Sequence, residues 1–153
     1  MNTRSFLTLG LGLAALLFAP FTVSAKDFPK GSPKFVTSYR KALADSKETG
    51  KPAILVFSAS WCPPCQMMKK DVYPSAAVQP LHDKFIWAYL DADDASNKKA
   101  MEKYGVNGIP HIEFLNAEGE SVGKQVGGGD AAGFAKKLEA ILAKATPAEP
   151  AKK

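Results

Sequence analysis

The stretch Ala53-Ile54-Leu55-Val56-Phe57-Ser58-Ala59-Ser60-Trp61-Cys62-Pro63-Pro64-Cys65 decides the reading of this chain. Its first five residues form an unbroken apolar run. A short run without alternation suits a strand buried on both faces of a sheet. Three small residues follow, then an aromatic and two cysteines three positions apart. Proline is tolerated in a first helical turn, because the N–H groups there have no intrahelical partner. The segment therefore predicts a strand, a turn, and a helix that begins near Cys62 and runs through Met68 to about Val72. A disulfide between cysteines at i and i+3 spans one helical turn and closes too short a loop to staple a fold, so the pair reads as chemistry. Unpaired N–H groups and the helix dipole favour a thiolate at the helix start. Cys62 is thus the expected nucleophile on a partner disulfide. Cys65, one turn deeper and more shielded, is expected to resolve the mixed disulfide. Trp61 supplies a flat apolar rim, and Pro63 and Pro64 stiffen the loop and withhold two donors from the sulfurs.

Upstream, residues 26–33 carry two prolines and a glycine and predict an extended entry segment. Phe35, Val36, Tyr39 and Leu43 recur at helical spacing and predict an amphipathic helix over 34–48, stopped by Gly50-Lys51-Pro52. Downstream, Pro74 breaks the active-site helix, and residues 75–83 suit another short one. His82 is expected on its surface. Phe85 to Leu90 predicts a strand, and Asp94 or Ser96 a cap for a helix ending at Gly105. His111 to Leu115 and Ser121 to Val126 predict two strands joined by a tight turn at Asn116–Gly119. Asp130 is the expected N-cap of a last helix whose apolar stripe is Phe134, Leu138, Ile141 and Leu142. Strands joined through helices should be parallel and the final hairpin antiparallel. The expected fold is α/β: a mixed four-stranded central sheet with helices on both faces.

The chain has 153 residues, 46% hydrophobic and 23% charged, which fits one soluble globular domain and excludes disordered, collagen-like and polytopic membrane proteins. Residues 1–25 read as a signal peptide: Arg4, then the apolar run Phe6–Ala19, then small residues at Val23-Ser24-Ala25. Cleavage after Ala25 gives a periplasmic protein with no membrane anchor and leaves 19 basic residues against 15 acidic, a charge of +4. A domain over 26–143 and a disordered tail over 144–153 complete the chain. The lysines fall in scattered pairs with no aromatic interleaving, so a solvated surface is expected and nucleic acid is not. No pattern signals oligomerisation, and a monomer is expected. Cys62, Cys65, His82 and His111 match no zinc-finger spacing, so no metal or other cofactor is expected. Met67-Met68 are potential copper(I) ligands, but packing is the more ordinary use of methionine. Gly127-Gly128-Gly129 lacks the lysine-serine or lysine-threonine sequel of a phosphate loop and reads as a connection.

Trp61-Cys62-x-x-Cys65 after a buried strand, with Gly108-Ile109-Pro110 before a later strand, resembles the thioredoxin-like family over residues 34–143. The continuation Cys65-Gln66-Met67-Met68 and Val72-Tyr73-Pro74-Ser75 is similar to the periplasmic C-terminal thioredoxin domain of DsbD and its stand-alone relatives. The resemblance implies a thioredoxin fold and a redox-active disulfide between Cys62 and Cys65. It also implies a cis bond before Pro110, which would lie against the pair and leave the Ile109 backbone free to meet a substrate strand. Trp61, Pro63, Pro64, Ile109 and Pro110 are the implied substrate-binding residues. Two departures matter. Val56 stands where thioredoxin has a buried aspartate, and Tyr89 where it has a lysine, so water or another group has to accept the Cys65 proton. No histidine separates the cysteines, which favours a reductant over a primary oxidant. His111 either tunes the cysteines or points outward from its strand. The expected function is a periplasmic thiol:disulfide oxidoreductase that reduces protein disulfides, with a membrane thiol reductase as possible electron donor. The alternatives are a disulfide oxidase or isomerase, and a redox-inert binding or copper-chaperone module on the same scaffold.

Overall fold

The computed structural model describes residues 28–145. The segment over 1–25 expected to be a signal peptide and the last eight residues lie outside them. A mixed sheet of five strands has the order β1-β3-β2-β4-β5. In chain order the elements are β1 (Phe35–Val36), α1 (Tyr39–Thr49), β2 (Ala53–Ser58), α2 (Pro63–Met67), β3 (Ile86–Asp91), α3 (Lys98–Lys103), β4 (His111–Leu115), β5 (Ser121–Val126) and α4 (Ala131–Ala145). β2 is central, parallel to β3 and antiparallel to β4, and all six of its residues are buried. The apolar run at 53–57 is thus buried on both faces, as its lack of alternation predicts.

The two faces carry separate cores. Ile54, Val56, Ile112 and Phe114 pack with Met68, Val72, Tyr73, Phe134, Leu138 and Ile141. Leu55, Phe57, Leu90 and Leu115 pack with Ala42 and Ala100 on the other side. Each fully buried side chain of this size contributes about 1.5–3 kcal/mol relative to exposure.

The expectation of four strands is corrected by β1. Phe35 and Val36 are not the first turn of a helix. They pair in parallel with Trp87 and Ala88, and as neighbours in a strand they face opposite cores. Phe35 enters an aromatic cluster with Phe28, Tyr73, Trp87 and Tyr89. Ser38 then starts α1 by accepting the Lys41 N–H, and Gly50 ends it at φ 70°. The entry segment is not wholly extended: Ser32 N–H donates to Pro29 O across a turn at Gly31. At the other end, α4 runs through Lys144 and Ala145, two residues into the stretch expected to be disordered. Among the described residues no helix is long and apolar enough to cross a membrane.

Candidate active site

β2 delivers the chain to the sheet's end, where Ala59, Cys62 and Cys65 form a small buried cluster with Ile109 packed on it. Cys62 is the N-cap of α2, with extended backbone, and Pro63 and Pro64 fill the first turn. The helix continues without a break through a wider turn at Met68–Val72, where Tyr73 N–H reaches back to Met68 O. Cys62 and Cys65 are joined in a disulfide. The Cys65 N–H points at Cys62 Sγ from 3.3 Å. On the opposite side Ile109 O lies 3.7 Å from the same sulfur. The two contacts pull in opposite directions once the pair is reduced. The amide N–H favours a thiolate, whereas the carbonyl oxygen offers an acceptor to the protonated thiol. Cys62 is 3% exposed and Cys65 1%, so the outer sulfur is only slightly more open than the inner one.

The Ile109–Pro110 peptide bond is cis. Around the sulfurs stands an exposed apolar rim. Trp61 is 65% exposed, and its Nε1–H donates to Asp93 Oδ2 at 2.7 Å, which fixes the indole across the gap to the loop after β3. Pro63 and Pro64 are exposed as well, and Met67 and Val126 extend the apolar surface. Gly128 lies so close to the active-site helix that a Cβ there would meet Met67 Cε at 2.9 Å. The glycine run thus serves as a close approach between the loop before α4 and α2. Met68, by contrast, is wholly buried in the core, so the two methionines do not form a joint surface site.

A family model described as a thioredoxin-like domain matches residues 39–142. The chain belongs to the thioredoxin-like family. A chloroplastic thioredoxin-like protein, HCF164 of Oryza sativa subsp. japonica, is 34% identical over 69% of this chain and 36% of its own length. The thiol:disulfide interchange protein DsbD of Vibrio cholerae is 33% identical over 57% of this chain and 15% of its own. The chain thus spans well under half the length of these curated relatives. Among solved structures, a thioredoxin from Thermus thermophilus superposes with a TM-score of 0.67 at 28% identity, covering 74% of this chain and 90% of that one.

The thioredoxin-like site of this chain differs from its sequence reading at both histidines. His111 does not point outward: it is 1% exposed, its ring meets Phe57, and its Nε2 lies 2.8 Å from Glu113 Oε2. The strand is central, so its odd-numbered residues face the second core and not solvent. His82 is half-buried rather than on an open surface, with Nε2 2.8 Å from Tyr73 O and its ring against Trp87. Val56 is buried behind the cysteines in the apolar core, with no carboxylate at its position. Tyr89 meets the Ser58 hydroxyl at 2.5 Å. Sequence reasoning missed Asp93 as the anchor of Trp61, and it missed Glu113. The signal for Glu113 was available: a charged residue inside the apolar strand His111-Ile112-Glu113-Phe114-Leu115 is rarely buried without a partner. Among the described residues no group of three or more His, Cys, Asp or Glu is placed to hold a metal ion.

Proposed function

We propose that this chain is a periplasmic thiol:disulfide oxidoreductase that reduces protein disulfides through Cys62 and Cys65. The Cys62 thiolate attacks one sulfur of the substrate disulfide. That S–S bond breaks, and its electron pair leaves on the substrate's other sulfur, which takes up a proton. Cys65, deprotonated, then attacks Cys62 Sγ and expels the second substrate thiolate. One disulfide is reduced and the 62–65 disulfide forms. The observation that carries this reading is the pair's placement: Cys62 caps a helix, receives the Cys65 N–H, and sits beneath an exposed rim of Trp61, Pro63 and Pro64. Ile109 packs on the cysteines, and its backbone, turned by the cis bond to Pro110, is what a substrate strand would meet.

The reductive direction is supported by the mixed surroundings of Cys62. Ile109 O favours its thiol, Val56 keeps the region behind the pair apolar, and no histidine sits between the cysteines. Each limits thiolate stabilisation, and a less stabilised reduced form makes a better reductant. Residues 1–25 act as a signal peptide removed after Ala25, supported by Arg4, the short apolar run and Val23-Ser24-Ala25. The domain over 26–143 then works as a soluble monomer that needs no cofactor, supplied with electrons by a membrane thiol reductase. DsbD among the relatives supports a donor of that kind.

Substitution of each cysteine tests the roles. Cys62→Ser abolishes attack on a protein disulfide. Cys65→Ser still attacks but accumulates mixed disulfides, because the resolving thiol is gone. Mixed disulfides trapped by Cys62→Ser and not by Cys65→Ser would reverse the assignment. N-terminal sequencing of exported protein should begin at Lys26; a membrane-bound chain that retains Met1 contradicts the location.

A further inference from the structure

Three large apolar side chains stand exposed among the described residues: Trp61 at 65%, Val126 at 59% and Met67 at 41%. Val126 is far from the other two in sequence, yet the fold gathers all three at the cysteine pair. Trp61 directly precedes Cys62. Met67 ends α2, two residues past Cys65. Val126 ends β5 opposite His111, and the next residue, Gly127, donates its N–H to Pro110 O at 2.8 Å. Apolar surface gathered in one place marks a docking surface.

Met67 is built into that surface. It stands three residues after Pro64, on the same face of the helix. Its terminal methyl lies over Gly128: a Cβ there would meet Met67 Cε at 2.9 Å and Pro64 Cβ at 3.7 Å. The side chain therefore bridges from the active-site helix to the loop before α4. Of the three exposed residues, methionine is the one whose polarity changes in a single reversible covalent step. Its sulfoxide is polar and chiral where the thioether is flexible and apolar. Exposure decides which methionine of this chain reacts. Met68 is wholly buried and Met101 half-buried, and Met1 lies outside the described residues.

We propose that Met67 is an oxidation site: a peroxide converts its thioether to the sulfoxide, and the modified side chain weakens docking of protein disulfides while the chemistry of Cys62 and Cys65 is left intact. The effect on docking rests on the exchange reaction proposed above. The Met67 sulfur attacks one oxygen of hydrogen peroxide and gives up two electrons. The O–O bond breaks and an S–O bond forms. The departing hydroxide takes the proton of the transferred hydroxyl and leaves as water. The sulfoxide oxygen is hydrated, and a protein lying on the rim strips that water without supplying a set partner. A small disulfide reaches the sulfurs without covering Met67. While Cys62 and Cys65 are joined they present no thiolate to the peroxide, so oxidation of Met67 is separable from oxidation of the pair.

The disulfide form is treated with hydrogen peroxide, freed of it, and reduced with dithiothreitol, which leaves a sulfoxide in place. After the dithiothreitol is removed, single-turnover reduction of insulin and of bis(2-hydroxyethyl) disulfide is timed. Peptide mass spectrometry should find the added oxygen on Met67 ahead of Met68 and Met101. The insulin rate should fall about fivefold, at the low end of what desolvating an unpartnered polar group costs. The small-disulfide rate should hold, and methionine sulfoxide reductases should restore the insulin rate. Met67→Leu, compared with its own untreated sample, should lose none of its insulin rate to peroxide. That ratio is internal to the variant, so it stands however the substitution alters the rim. Oxygen on Met68 or Met101 ahead of Met67, an insulin rate unchanged once Met67 is oxidised, an equal loss with both disulfides, or the same loss in Met67→Leu overturns the proposal. An untreated dithiol that reduces neither disulfide sinks the exchange reading and this inference together. Normal reduction of both by untreated protein, with no effect of peroxide, sinks this inference alone.

Discussion

Trp61 is largely exposed, yet its indole is held by one charge-assisted bond to Asp93. Both residues lie at the surface, so the bond adds little to folding and acts on the shape of the rim. Asp93→Ala should leave the melting temperature close to wild type. It should lower the second-order rate with a protein disulfide such as insulin about fivefold, the equivalent of a hydrogen bond worth about 1 kcal/mol. An unchanged rate would mean that Trp61 needs no fixed orientation. At this scale the sequence was readable where chemistry demands a pattern: two cysteines at one helical turn, prolines between them, an aromatic before them. It was not readable where one side chain is defined by another far away. Asp93 is 32 positions from Trp61. His111 could be placed only once β4 was known to be central, with β2 and β5 on its two sides.

At the level of elements, helix ends were legible because capping is local. Ser38, Asp94 and Asp130 each accept a backbone N–H from the turn they open. β1 was not legible, because a two-residue strand shows no period. Its identity comes from the register with Trp87 and Ala88, which local sequence does not encode. The Asp130 cap has a pH consequence. The Gly133 N–H, bonded to Asp130 Oδ1 at 2.9 Å, holds this carboxyl below its ordinary range, ahead of the smaller opposing effect of burial. A carboxyl depressed in the folded state stabilises above its unfolded pKa, and that contribution fades as pH falls through the folded value. Asp130→Asn keeps an acceptor but does not titrate. Thermal melts from neutral into acid pH should therefore fall less steeply for Asp130→Asn than for wild type. Parallel curves would show that the cap adds nothing pH-dependent.

For the molecule as a whole, alternation of apolar runs with helical stripes was enough to predict a mixed sheet between helices and a site at the end of β2. The sequence also showed what the site lacks, since Val56 is legible as an apolar residue in a buried strand. It did not show the buried His111–Glu113 pair, because that pair is defined by a strand register that local sequence does not encode. The central claim is that the surroundings of Cys62 and Cys65 make the pair a donor of electrons. The most direct test is the reduction potential, measured by equilibration with glutathione and thiol trapping. A value nearer the thioredoxin figure of about −270 mV is expected, whereas one close to the DsbA figure of about −120 mV would contradict the account and make this protein an oxidant.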